Sequence, residues 1–169
     1  MLTADVLRQI LHYEPATGFW TWLPREGASP QFKGKYEGKR AGSIDPDTGY
    51  WRIRIGRKLY YAHRLAVLYV VGRWPLDEVD HEDLDRANCK WVNLREATHY
   101  QNNTNKKNRS DNTSGFKGVS LDAKSGKWVS DFRINGARFR KYGFLTPESA
   151  GDEYARLVAL HAEGFGRVA

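Results

Sequence analysis

Near the N-terminus the apolar residues fall at helical spacing. Val6, Leu7, Ile10 and Leu11 follow Thr3, a residue suited to capping a first turn. This predicts a helix that ends at "EPATG" (14–18), where Pro and Gly break the pattern, with a short strand at "FWTWL" after it. Residues 24–40 are rich in Gly and Lys, show no periodicity and read as a loop. In "GYWRIRIGRKLYYAHR" the period changes to two. Trp51, Ile53 and Ile55 alternate with Tyr50, Arg52 and Arg54, and Gly56-Arg57-Lys58 make the turn of a hairpin. A helix over 62–71 follows, stopped by Gly72 and then Pro75.

A polar stretch, residues 79–108, separates this half from a turn-rich break, "KKNRSDNTSG" (106–115). Beyond the break, "FKGVSLDAKSGKWVSDFRINGARFRKYGF" supplies three strand-like runs separated by "AKSG" and "NGA". Asn135-Gly136 is a strong hairpin signal. Thr146-Pro147-Glu148 then opens a helix with Thr as cap and Pro in the first turn. Its apolar stripe is Ala150, Tyr154, Leu157 and His161, and Gly164 stops it. The expected organisation is α+β: a first domain over 1–108, a linker over 109–114, and a small sheet-and-helix module over 115–169.

Composition narrows the class. The 169 residues suit one ordinary domain or two small ones, and 40% apolar content with seven Phe, six Trp and nine Tyr can build a core. Net charge is +7 and the pI near 9.5, which points towards polyanions. Cys89 is the lone cysteine, so neither disulfides nor a Cys-based zinc cluster hold the fold. "MLTADVLRQILHYEP" does not read as a signal peptide, and the longest apolar stretch, "LAVLYVVG" (65–72), is too short to cross a bilayer. The expectation is a soluble protein of a reducing compartment, the cytoplasm, with no membrane partner.

Chemistry concentrates in "VDHEDLDRANCKWVNLREATHYQNNTNKKN". An adjacent Asp80-His81 pair precedes a run in which asparagine returns at 88, 93, 102, 103, 105 and 108. Hydrolysis of a phosphodiester needs a base for water, and charge to stabilise the transition state and the departing 3′ oxygen. An imidazole suits the first task at neutral pH, and a hard divalent cation on oxygen ligands suits the others. Neighbours on an extended strand point to opposite faces, which favours a division of labour: the Asp80 carboxylate on the metal and the His81 imidazole on the water. Asn102 is a candidate second ligand if "THYQNNTNKK" is helical and packs across the strand.

"VDHEDLDRANCKWVNLREATHYQNN" resembles the HNH endonucleases, in the subgroup typical of phage and intron homing nucleases. "YEPATGFWTW", "TGYWRIRI" and "AHRLAVLYVVGRWP" extend the likeness upstream, so that it covers roughly residues 5–108. The resemblance implies a ββα-metal arrangement around one divalent ion, Mg²⁺ or alternatively Mn²⁺. It places the general base on His81 and the metal-binding aspartate on Asp80. The asparagine that fixes the loop and orients the base falls on Asn93, and the helix ligand on Asn102. Asn88 matches a recurrent loop asparagine, whereas Cys89 stands where the subgroup often has a second one. The family's products carry 5′ phosphate and 3′ hydroxyl ends. His63 and Arg64 have two readings: a capping histidine with a surface arginine, or a pair facing the phosphate. His12, His99 and His161 read as structural or solvent-facing.

Residues 115–166 resemble the Apetala-type DNA-binding domain of plant ethylene-response factors, through "GFKGV", "GKW", "VSDFRI" and the "TPESAGDEYARL" helix. In that family the sheet lies in the major groove. Independently, Lys117, Lys127, Arg133, Arg138, Arg140 and Lys141 are basic strand residues, while the helix carries Glu148, Asp152 and Glu153. The family match puts Lys117 and Arg133 at DNA-contacting positions and Lys127 and Trp128 in the second strand. Trp128 has a second reading, as core. Ser120 and Asp122 stand where the plant pattern has arginines, so its base preference does not carry over.

The combined expectation is a metal-dependent endonuclease acting on double-stranded DNA, of the phage homing type. A monomer would nick; a homodimer or sequential cuts would be needed for a double-strand break. Two other classes fit the same residues, a non-catalytic DNA-binding regulator on an HNH scaffold and an RNA-directed protein, although the A-form major groove is too narrow for such a sheet.

Overall fold

A computed structural model describes residues 1–162, and the expected helix stop at Gly164 lies outside the described residues. The chain forms two compact units, one over Met1–Glu96 and a second beginning at Ala97. No described helix is long and apolar enough to cross a membrane.

The first unit opens with α1, Ala4–Ile10, whose N-terminus is capped by the Thr3 hydroxyl accepting from the Val6 amide at 3.3 Å. Leu7 is buried on this helix, but Val6 is exposed, and Leu11 no longer belongs to it. Leu11–Glu14 form β1, paired antiparallel with β2, Phe19–Trp22. The helical spacing of Leu11 thus masks a helix-to-strand change: its side chain remains in the core while the backbone pairs with Trp22. Residues 24–40 also depart from the expected loop. Ser29 caps a short helix, α2, Pro30–Tyr36, with proline in its first turn. No residue of α2 is fully buried, and its apolar stripe is a single pair, Phe32 and Tyr36, packed on Trp22 and too short to set a period.

A short strand, β3 (Ser43–Ile44), borders the hairpin of β4 (Trp51–Ile55) and β5 (Lys58–Tyr61) in one antiparallel sheet. The turn is Gly56-Arg57, one residue tighter than expected, because Lys58 already pairs with Ile55. Ile53 is wholly buried, with Trp51 and Ile55 packed beside it. The next helix, α3, runs Ala62–Val71 and ends on Gly72 at φ 85°, a left-handed terminator that glycine adopts without steric cost. Leu65, Ala66, Val67 and Leu68 join Leu7, Tyr13 and Trp20 in a single core. Two short strands complete the unit: β6 (Glu78–His81) and β7 (Leu94–Ala97) pair with each other, separated by a loop and a single 3₁₀ turn at Trp91–Asn93.

The second unit contains α4, His99–Asn105, closed at its start by a capping box between Thr98 and Gln101. Three antiparallel strands follow, β8 (Val119–Asp122), β9 (Lys127–Ile134) and β10 (Ala137–Phe144), ordered β10-β9-β8. Asn135 and Gly136 make the β9–β10 turn with φ of 49° and 79°, the left-handed pair that a two-residue hairpin requires. A long helix, α5 (Pro147–His161), capped by Thr146, lays Ala150, Tyr154, Leu157 and Val158 on the sheet against Phe132 and Ile134. Lys117 precedes β8 rather than lying in a strand.

The β1–β2 turn braces the loop that follows β6. The Tyr13 hydroxyl donates to the Cys89 carbonyl at 2.7 Å, and the Trp91 amide donates to the Pro15 carbonyl at 2.9 Å. Gly18, at φ 75°, presses its Cα onto the Cys89–Lys90 peptide, where any Cβ would overlap backbone atoms that have no rotamer to yield. Gly18→Ala is therefore expected to cost about 3 kcal/mol or more, from left-handed strain plus the overlap. Chemical denaturation of wild type and variant checks this. A loss below about 1 kcal/mol would show that the loop moves aside freely.

Candidate functional site

The β6 strand delivers Asp80 and His81 to two different surroundings. Both are buried, at 3% and 5% exposure, although Asp is almost never fully buried without a partner. Asp80 receives the Arg95 guanidinium from β7, with Nε and Nη2 both 2.9 Å from Oδ2. His81 lies among rings. Its imidazole centroid is 4.8 Å from that of His63, at 76° between planes, and 5.9 Å from that of Tyr50. His63 is itself stacked on Tyr61 at 5.5 Å and lies 5.1 Å from Tyr50.

Asn93 organises the chain between the two strands. Its Oδ1 accepts from the Asp83 amide at 3.0 Å, and its Nδ2 donates to Asp83 Oδ1 and to the Asn88 carbonyl, each at 2.9 Å. The backbone adds a bond from the Glu82 amide to the Asn93 carbonyl at 3.0 Å. Asn88 closes the ring by donating from Nδ2 to Asp83 Oδ2 at 2.6 Å. Leu84 takes φ 67° within this turn, a left-handed conformation in a residue that rarely adopts it. Cys89 is buried, and burial pushes its thiol up to about 12, so it is no thiolate ligand at neutral pH.

The same burial governs the imidazoles. Desolvation, then the neighbouring His81 and Arg64 charges, pushes His63 down to about 3, so this ring is neutral at neutral pH. Desolvation also lowers His81 below the ordinary histidine value, against the raising pull of Asp83, Asp80 and Asp85 and with a small lowering from Arg86. Burial raises the Asp83 carboxyl. The hydrogen bonds from Asn88, the Asp85 amide and Asn93, together with the His81 charge, outweigh it and leave Asp83 below the usual carboxylate range. A neutral, desolvated imidazole is the form that accepts a proton.

Asn102 is half-buried on α4, in the unit that begins at Ala97. The Asp80 carboxylate and the Asn102 amide are hard oxygen donors. No cluster of three or more His, Cys, Asp or Glu side chains placed to hold a metal occurs among the described residues. Asp80 and Asn102 each offer the kind of oxygen donor that Mg²⁺ takes, an ion that keeps several waters and needs few protein ligands. Arg64, one position after the buried His63, donates to the Asp77 carbonyl at 2.7 Å.

In the second unit, pleat and register sort the candidate DNA-binding residues. Lys127, Asp131 and Arg133 lie on one face of β9, and their cross-strand partners Arg138 and Arg140 share it. Asp131 is the hub: Arg138 grips its carboxylate with two nitrogens, Arg140 Nε is 3.7 Å away and Arg133 Nε is 3.9 Å away. The Arg138 hydrogen bond outweighs burial and holds the Asp131 carboxyl below its usual range, with the other two arginines adding to it. Trp128 alternates with these residues, onto the face of Ser130, Phe132 and Ile134, and is half-buried. Lys141 is on that side too, with Nζ 3.7 Å from Glu153 of α5. Lys117 turns back to donate from Nζ to the Asn103, Thr104 and Lys106 carbonyls at the end of α4.

Arg95, Asp83, Tyr50 and Tyr61 escaped the sequence reading. Arg95 stands in "NLRE" two residues after Asn93, but its pairing with Asp80 follows only once β6 and β7 are in register.

No match is found among the curated proteins compared. Among solved structures, one described as "DNA binding and cleavage by the HNH homing endonuclease I-HmuI" is similar at 22% identity and a TM-score of 0.43, covering 86% of this chain and 78% of that one. Residues 60–104, the stretch holding His63, Asp80, His81, Asn93 and Asn102, match the family model described as HNH endonuclease.

Proposed function

We propose that the chain is a metal-dependent DNA endonuclease of the phage homing type that hydrolyses phosphodiesters in duplex DNA. One observation carries this reading. Inside the stretch matched to HNH endonucleases, Asp80 and His81 are adjacent, buried and differently partnered, the carboxylate on Arg95 and the imidazole among neutral rings. On this reading residues 1–108 do the cutting, with β6, β7 and α4 as a ββα-metal unit. Residues 115–169 form an Apetala-type module that binds DNA.

His81 takes a proton from the attacking water, a role suited to an imidazole kept neutral by burial. Asn93 holds the loop after β6, so that His81 enters the reaction already placed. Arg95 orients the Asp80 carboxylate and balances its charge before substrate arrives. Asp80 and Asn102 would hold Mg²⁺ or Mn²⁺, which when bound supplies positive charge for the transition state and the leaving 3′ oxygen. Arg133, Arg138, Arg140 and Lys127 line the sheet face offered to DNA, and products carry 5′ phosphates and 3′ hydroxyls.

Supercoiled plasmid incubated with wild type, in Mg²⁺ or Mn²⁺ at low salt, is expected to be nicked or linearised. EDTA abolishes this, and His81→Ala lowers the rate by about 100-fold or more. Binding without cutting in every metal would replace the nuclease with a non-catalytic DNA-binding regulator, and undiminished cutting by His81→Ala would move the site elsewhere. For the sheet, Arg133→Ala and Lys127→Ala are each expected to weaken duplex binding across sequences and to reduce the log–log salt slope by about 1. An unchanged slope in both would remove this face from the DNA interface.

A further inference from the structure

His63, in the first turn of the core helix α3, is 6% exposed, although a histidine at a helix start commonly reaches water. Three rings surround it: Tyr61 stacked at 5.5 Å and 25°, Tyr50 at 5.1 Å, and His81 edge-to-face at 4.8 Å. The Nδ1 atom is buried with no hydrogen-bond partner among the described residues. A residue selected for hydrogen bonding at that nitrogen would have a side-chain or backbone partner there. What His63 brings to the cluster is a flat, neutral ring, and the side chain it touches is the one that the nuclease reading makes the base.

We propose that His63 is a positioning residue: clamped between Tyr50 and Tyr61, its ring sets the plane of the His81 imidazole. The hairpin delivers Tyr61 at the end of β5, α3 begins at the next residue, and His63 follows one position later. The route from hairpin to base is therefore three residues and one ring contact. Tyr50 borders both imidazoles and is held in turn by the Arg86 guanidinium, 5.0 Å above its ring. A staggered ring contact restrains rotation of a neighbour in a way that an aliphatic side chain of equal volume does not, because its preferred geometry is directional. The role assigned to His63 rests on the nuclease reading of His81, though the ring contact itself does not.

Three variants separate the possibilities. His63→Phe keeps the flat ring, His63→Leu fills the space without one, and His63→Ala empties it. Plasmid cleavage is measured below each variant's melting temperature, with kcat and KM for DNA determined separately. The Phe protein is expected to stay within about threefold of wild type, while Leu and Ala lose about tenfold or more in kcat at unchanged KM. A Leu protein as fast as wild type would reduce His63 to core filling. A Phe protein as slow as Ala would assign the effect to the nitrogen, and raised KM at unchanged kcat would assign it to substrate contact; each overturns the proposal. Side-chain NMR of ¹⁵N-histidine protein gives a readout independent of cleavage. The His81 ring signals should be preserved in Phe and shifted or broadened in Leu and Ala. Should wild type cut nothing, the nuclease reading fails on that result alone, and His81 signals identical in all four proteins would sink the positioning role separately.

Discussion

One side-chain amide closes the segment on which the candidate site depends. Asn93 accepts from the Asp83 amide and donates to both the Asp83 carboxylate and the Asn88 carbonyl. Those bonds span ten residues of chain between β6 and β7 that has almost no regular structure of its own. Such a segment would otherwise cost conformational entropy with little burial to offset it. The amide is itself buried, at 9% exposure, so that each bond it makes is one it cannot exchange for water. Carboxamide chemistry is what the position demands, because a carboxylate there would face Asp83 as a like charge.

From that closure the rest follows outward. The β1–β2 turn seats on Cys89 and Lys90 through Tyr13, Pro15 and Gly18, tying the N-terminal core to the loop. On the other side, the paired strands bring Arg95 to Asp80. A buried ion pair of this kind is weak evidence for stability, since desolvation opposes the Coulombic gain, but losing one partner leaves an uncompensated charge. The Arg95 pair therefore places the Asp80 carboxylate rather than adding robustness. His81, one residue on, is kept neutral by desolvation and enclosed by rings. Two neighbouring side chains thus meet different surroundings, a guanidinium and a set of rings, because a strand's alternation sends them to opposite sides.

Much of the fold was legible where local chemistry and tertiary packing agree. The 62–71 helix is marked at its end by Gly72, and Asn135-Gly136 marks a turn that needs left-handed backbone at both positions. The sequence misled where they part. Leu11 continues a helical apolar pattern into a strand because the core accepts its side chain from either backbone. The α2 helix buries no residue fully, so its signal is a Ser29 cap, a proline and the single pair Phe32 and Tyr36. At the site, the Asp-His pair and Asn93 stand out by residue type and spacing. The burial of His63, the Arg95 partner of Asp80 and the Asp131 hub among three arginines are products of register and packing, which no local pattern encodes. Trp128 and Lys141 show the same limit from the other side: basic or aromatic residues on one strand divide between two faces, and only the register says which.

The most direct test of the Asn93 closure is the rate of plasmid cleavage by Asn93→Ala, at saturating DNA and with the protein shown to be folded. If the amide places His81, the rate should fall by about 100-fold with DNA affinity retained, because a displacement of about 1 Å in the base is enough. A folded Asn93→Ala protein that cuts at the wild-type rate would contradict the account, since the loop would then hold its shape without the bonds assigned to it.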